Sequence, residues 1–158
     1  MKKFLFLMVA FCCFIFGGFS TASANYPVHL NGDPNFILVD GHMGTAWYLD
    51  RSSLNVQKYA PPHYIIAVNI VSVSNADRGN TAINSVMTKR YLYSWNTRDM
   101  YVERNLFASD WRYLDPDGSW AETGITMPAG EMAFYLAYNL RFYGSSAGYT
   151  SNFYNKAY

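Results

Sequence analysis

No cysteine follows Cys13 in this chain of 158 residues. A domain built from the rest has no disulfide framework and no thiol chemistry, even where its compartment permits both. Charge is scarce too, with Asp, Glu, Lys and Arg making up 15% of the sequence. Its 12 basic and 11 acidic side chains nearly balance, so there is no electrostatic footprint for nucleic acid or anionic lipid. Glutamate occurs only as Glu103, Glu122 and Glu131, and histidine only as His29, His42 and His63. No H-x-H or H-x-x-x-H spacing, P-loop, dinucleotide fingerprint or G-x-S-x-G elbow is present. These absences lead us to expect no cofactor, no metal and no catalysis.

Apolar residues are concentrated first at the N-terminus. Lys2 and Lys3 precede the run from Phe4 to Phe19, and Ala22-Ser23-Ala24 supplies an A-x-A cleavage signal. This order predicts a secretory signal peptide over 1–24, with Asn25 as the mature start. An uncleaved anchor is the alternative, because the apolar stretch is long for a leader. A lipid anchor is not expected, because Phe11 and Cys12 stand where a lipoprotein signal needs a small residue. Cleavage leaves 134 residues, ten basic and eleven acidic side chains, and a net charge of about −1. Such a chain fits one domain. No later run approaches the roughly 20 apolar residues of a membrane-spanning helix. The expected location is the periplasm, the cell surface or the medium, with no stable membrane span.

Two long apolar runs then dominate, His63–Ser74 and Ile83–Trp95. The first is dense in β-branched residues, which suit a pleated and half-buried surface. The link Asn75–Thr81 is nearly all turn chemistry, so the pair predicts an antiparallel hairpin at the centre of a sheet. Tyr64, Ile66, Val68 and Ile70 share one face of the first strand; Ile65, Ala67, Val71 and Val73 share the other. Both faces therefore need covering. Further strands are expected at 36–39, 45–50, 54–59, 100–104 and 111–114, with turns at 51–53 and 115–118. The Asp115-x-Asp117-Gly118 sequence lacks the spacing and the twelfth-position Glu of a calcium loop, and reads as a turn.

A helix is expected over 128–143. Thr126 would cap it, Pro128 suits its first turn, Glu131 complements its positive end, and Gly144 closes it. Met132, Leu136, Leu140 and Tyr143 recur at helical spacing, so one face would lie on the sheet. The fold class that follows is α+β: a small, curled antiparallel sheet of about six strands packed by one C-terminal helix, over 25–144. The remainder, 145–158, is Gly, Ser, Asn and Tyr without period, and reads as a flexible tail.

Aromatics are the one excess, with 14 Tyr and 4 Trp. Tyr and Trp combine an apolar body with a hydrogen-bonding tip, which favours them at interfaces. A binding surface is expected from Tyr91, Tyr93, Trp95 and Tyr101, extended by Trp111 and Tyr113, for a protein or glycan partner. Core packing is the competing account of the same residues. Two other readings compete with a binding domain. One is a small envelope enzyme, or an enzyme inhibitor, using Asp40, His42 and Asp50. The other is a structural homodimer joined through the second apolar face of His63–Ser74.

Residues 45–143 resemble the surface-adhesin protein E-like family of exported bacterial proteins. The similarity rests on Trp47-Tyr48-Leu49-Asp50-Arg51-Ser52-Ser53-Leu54, the strands His63–Ser74 and Ser85–Trp95, the turn Asp115–Gly118, Trp120, and the helix opening Pro128–Gly130. It implies a small antiparallel sheet packed by a C-terminal helix, displayed at the cell surface or in the periplasm, with no catalytic residues to carry over.

Overall fold

The β-branched run at the centre of the sequence forms the middle of the sheet. In the computed structural model, which describes residues 25–158 except Leu106 and Phe107, six strands pair in sequence order and all antiparallel. They are β1 (Phe36–His42), β2 (Thr45–Ala60), β3 (His63–Val73), β4 (Ser85–Ser94), β5 (Asp99–Glu103) and β6 (Trp111–Leu114). The sheet is curled into a half-barrel, and with its helices the domain is α+β, as the sequence predicts. The expected signal peptide lies outside the described residues. Among the described residues no helix is long and apolar enough to cross a membrane.

The turn expected at Arg51–Ser53 does not break the second strand. The chain bulges there instead, and the register slips between Asp50 and Asn55. The polar side chains that resemble a turn fill the bulge. Asp50 Oδ1 accepts from the Ser52 N–H and hydroxyl at 3.0 and 2.6 Å, and Ser53 Oγ accepts from the Asn69 N–H at 2.8 Å. Side-chain oxygens thus stand in for the missing ladder bonds, and the strand bends without leaving the sheet.

Three helices follow the strands: α1 (Trp120–Thr123), α2 (Thr126–Tyr138) and α3 (Ser151–Asn155). The expected helix over 128–143 is therefore shorter at its C-terminal end. Asn139 adopts the left-handed conformation, φ 54°, which asparagine tolerates, and this stops α2 before Gly144. Thr126 is the first helical residue rather than the cap, and Leu140 is exposed rather than core. On its sheet-facing side α2 buries Met127, Met132, Ala133 and Phe134 against Ile37, Leu49, Ile66, Val68, Ile70, Tyr91 and Tyr93. Gly130 permits this closeness, since a Cβ there would lie 2.8 Å from Tyr91 Cε1.

The opposite face of the sheet is covered in part by the chain itself. Leu38, Ala46, Tyr48, Val71 and Val73 pack under Leu30 and Ala76, with Tyr26 and Phe36 alongside. Tyr26 lays its ring directly over Gly41 and accepts a hydrogen bond from the Gly44 N–H at 3.0 Å. Over this half of the face the second cover is the N-terminal segment and the β3–β4 loop.

Glu131 does not sit at the positive end of its helix as expected. It is fully buried and faces the chain that returns after α2. Its carboxylate accepts from the N–H groups of Phe142, Tyr143 and Gly144 at 2.9, 2.8 and 3.3 Å, and from the Tyr154 hydroxyl at 2.6 Å. Residues 145–158 are correspondingly not the loose tail expected. Gly144–Ala147 form a 3-10 turn, α3 follows, and Tyr154 and Ala157 are each 1% exposed.

Two outcomes follow from this packing. Glu131→Ala strands three buried amide N–H groups, so a loss of at least about 3 kcal/mol in urea unfolding is expected, with faster proteolysis of 145–158. A change within about 0.5 kcal/mol would show the carboxylate to be dispensable. Stability should also fall at alkaline pH. Burial raises the phenol pKa of Tyr91, Tyr93, Tyr143, Tyr149 and Tyr154 above the ordinary 10.0. The folded chain therefore holds these protons more tightly than the unfolded one. Their contribution is intact below pH 10 and is lost as pH rises through the raised values. Thermal melts between pH 8 and 11 should show the midpoint falling above about 10, with tyrosinate absorbance appearing together with unfolding.

Candidate functional site

Strand parity divides the expected aromatic surface. In the β4–β5 pairing Tyr91 faces Val102 and Tyr93 faces Met100, all toward α2, whereas Leu92 faces Tyr101 on the outside. Tyr91 and Tyr93 are 0% exposed. Their hydroxyls donate to the carbonyls of Thr126 and Gly130 at 2.9 and 2.8 Å, which ties the sheet to the start of α2. Burial raises both phenols well above the ordinary value. These two residues belong to the core and not to a surface. Trp95 is half-buried on the same side, stacked on Phe134 at 5.5 Å.

The other three lie on the outer face. Tyr101 and Tyr113 are cross-strand partners with ring centroids 5.5 Å apart. The Arg90 guanidinium lies 5.5 Å from the Trp111 ring, donates to Gln57 Oε1 at 2.7 Å and pairs with the buried Glu103 carboxylate. These residues form a strip that is partly exposed, with Tyr113 the most open of its three aromatics at 43%.

The trio Asp40, His42 and Asp50 does not converge. Asp50 pairs with Phe36 and His42 with Thr45, at opposite ends of the β1–β2 hairpin. Five residues along β2 put them roughly 17 Å apart. Asp50 is occupied by Ser52, while Asp40 accepts from the Trp120 indole N–H at 2.6 Å and His42 packs on the Trp120 ring at 4.6 Å. Among the described residues no group of three or more His, Cys, Asp or Glu is placed to hold a metal. The trio therefore offers no reaction centre.

Among the described residues, cavities lie on either side of Pro116. The smaller, about 280 Å³, lies between α1 and the C-terminal segment. Trp120, Tyr149 and Phe153 wall it, Met127 and Pro128 floor it, and Asp40 stands at its edge. Its geometry depends on α1, which is opened by the capping box Ser119-x-x-Glu122. There the Glu122 carboxylate accepts from the Ser119 N–H at 3.0 Å. That spacing was legible in the sequence, and it is the signal that would have found the helix presenting Trp120.

The larger cavity, about 400 Å³, lies between the β4–β5 turn and the chain after α2. Arg98, Asp99 and Tyr113 line it from the sheet, and Arg141, Tyr143 and Ser146 from the C-terminal segment. Its volume is within the range of small-molecule sites, roughly 300–1,000 Å³. Burial, followed by the nearby Asp99 and Asp115 carboxylates, raises the Tyr113 phenol. At neutral pH Tyr113 is therefore a hydroxyl able to donate. Of the six aromatics expected to bind, only Tyr113 reaches this cavity. Arg98 and Arg141 carry no sequence signal, because they meet only through the return of the chain after α2.

No family model matches this chain, and neither a curated protein nor a solved structure matches it.

Parity makes a direct prediction. Tyr91→Phe and Tyr93→Phe should each cost about 1 kcal/mol in denaturant unfolding, because each removes a buried hydrogen bond from a hydroxyl to a helix carbonyl. Tyr101→Phe and Tyr113→Phe should stay within about 0.5 kcal/mol, as surface changes do. Equal costs at all four positions would contradict the division of faces.

Proposed function

We propose that this chain is an exported, non-enzymatic binding domain that works in the periplasm or at the cell surface. The observation that carries the reading is the larger cavity. It is lined by two arginines, two tyrosines and an aspartate, and among the described residues no histidine or cysteine stands beside them. Such an arrangement recognises a ligand by hydrogen bonds and charge without a group to break a bond. Support for export comes from the N-terminal sequence, with its basic start, apolar run and A-x-A signal. The resemblance of residues 45–143 to the surface-adhesin protein E-like family points the same way. The partner is a protein or a glycan, engaged through the C-terminal side of the sheet and not through Tyr91 and Tyr93.

The reading is tested by expressing the full chain with its own N-terminus and fractionating the cells. Mass spectrometry of the envelope and medium fractions should find protein beginning at Asn25. Surface plasmon resonance of that protein against matrix proteins and polysaccharides should give saturable binding without turnover. Retention of the intact chain in the cytoplasm, or turnover of a tested ligand, would overturn the reading.

A further inference from the structure

The two arginines of the larger cavity are held in an unusual way. Arg98 occupies the left-handed region, φ 58°, in the β4–β5 turn. A glycine or asparagine would adopt that conformation at less cost, by about 1 kcal/mol for a residue with a full side chain. The strain places the guanidinium carbon 3.5 Å from the Trp95 ring centroid. From there Nη1 donates to the carbonyls of Phe142 and Arg141 at 2.9 and 3.4 Å. Nη1 is the only nitrogen of this side chain with a partner among the described residues, so the rest of the fork is available.

Arg141 is fixed from the opposite wall. Its guanidinium carbon lies 4.7 Å from the Tyr154 ring centroid, and Nη2 donates to Ser151 Oγ at 3.4 Å. Among the described residues neither Arg98 nor Arg141 pairs with a carboxylate, in contrast to Arg90 with Glu103 and Arg104 with Asp110. Two guanidinium groups immobilised on aromatic faces and left without counter-charge form a prepared receptor for an oxyanion, since little side-chain freedom is lost on binding.

Asp99 narrows the chemistry. It lines the same cavity, so a dianion such as phosphate meets a like charge there. A monoanion that also carries hydroxyl groups does not suffer in this way, because those hydroxyls can donate to Asp99. Thr97 and Ser146 add further hydroxyl partners, and the exposed ring of Tyr113 offers an apolar surface to the C–H face of a saturated ring. We propose that the Arg98–Arg141 cavity binds acidic sugars, in which one carboxylate is carried on a hydroxylated ring. The arginines take the carboxylate, and Asp99, Thr97 and Ser146 take the hydroxyls. This rests on the binding-domain reading and assigns that site its ligand class.

The test is a titration of the exported protein, followed by amide NMR, with glucuronate, glucose, succinate and inorganic phosphate as separate probes. Glucuronate should shift the amides of Thr97–Asp99 and Ser146 saturably, and bind at least about tenfold more tightly than the other three. Arg98→Gly and Arg141→Gln should each weaken glucuronate by at least about tenfold. Arg98→Gly also relieves the left-handed strain, so retention of the folded amide spectrum separates lost recognition from lost folding. Arg141→Gln, away from the strained turn, serves as the independent variant.

Equal binding of succinate or phosphate would overturn the sugar assignment, and equal binding of glucose would overturn the role of the arginines. Absence of binding by all four probes would overturn the proposal. These failures differ from failure of the binding-domain reading. A matrix partner that still binds the Arg98→Gly and Arg141→Gln proteins at full affinity overturns the acidic-sugar proposal and the cavity as the binding site, whereas absence of saturable binding to any matrix partner overturns the binding-domain reading.

Discussion

The buried Glu131 carboxylate is the constraint on which the C-terminal half depends. No cation pairs with it among the described residues. Its charge is satisfied by donors alone: three consecutive amides at 142–144 and the Tyr154 hydroxyl. A carboxylate removed from water this completely is tolerable only when its lone pairs are filled. The requirement reads in both directions. The helix needs the returning chain to satisfy Glu131, and the returning chain needs Glu131 to satisfy amides that belong to no regular element. Once Asn139 has ended α2, this one side chain sets how the chain reverses and where the last fourteen residues dock.

The tyrosines apply the same logic on the sheet side. Tyr91, Tyr93 and Tyr143 place rings in the core and spend their hydroxyls on backbone groups, the last donating to the Leu114 carbonyl at 2.6 Å. Tyr143 also accepts from the Met100 N–H at 3.1 Å, so one phenol ties the reversal to both β5 and the end of β6. This accounts for part of the aromatic excess. A chain short of leucine fills its core with tyrosine, and the buried hydroxyls of Tyr91, Tyr93 and Tyr143 find partners, whereas those of Tyr48 and Tyr138 have none among the described residues. Those partners lie on α2 and on the edge strands, which couples the layers more specifically than aliphatic packing alone.

The sheet was largely legible from the sequence because its signals are local. Alternation of β-branched residues marked β3, turn residues marked the β3–β4 link, and β6 fell where Trp111–Leu114 predicted it. What escaped was set by contacts distant in sequence. Glu131 lies three residues after Pro128 and reads as a charge near a helix start, whereas its partners lie 11 to 23 residues on. The tail has the composition of a flexible segment, yet it is ordered by Tyr154 and by Lys156, whose carbonyl hydrogen-bonds His29 Nε2 at 2.9 Å. The aromatic surface failed on parity alone. Tyr91, Tyr93 and Tyr101 are close in sequence, but crossing the turn puts the third on the opposite face.

The location of the larger cavity follows from these same forces. β5 and β6 are short, so the β4–β5 turn projects at the end of the sheet where little covers it. Glu131 draws 142–144 toward this turn, and the reversal leaves the Arg141 and Phe142 carbonyls facing Arg98. A turn that needed only to reverse direction would gain from glycine at position 98. The chain instead carries arginine in a left-handed conformation, stacked on Trp95 and held by those two carbonyls. The strain therefore sits where the central hairpin meets the segment that Glu131 fixes. Both walls of the cavity are positioned by buried groups, the tyrosine hydroxyls on one side and the carboxylate on the other. Its arginines are consequently arranged before any ligand arrives, and the structure that sets them is the core itself rather than a mobile loop.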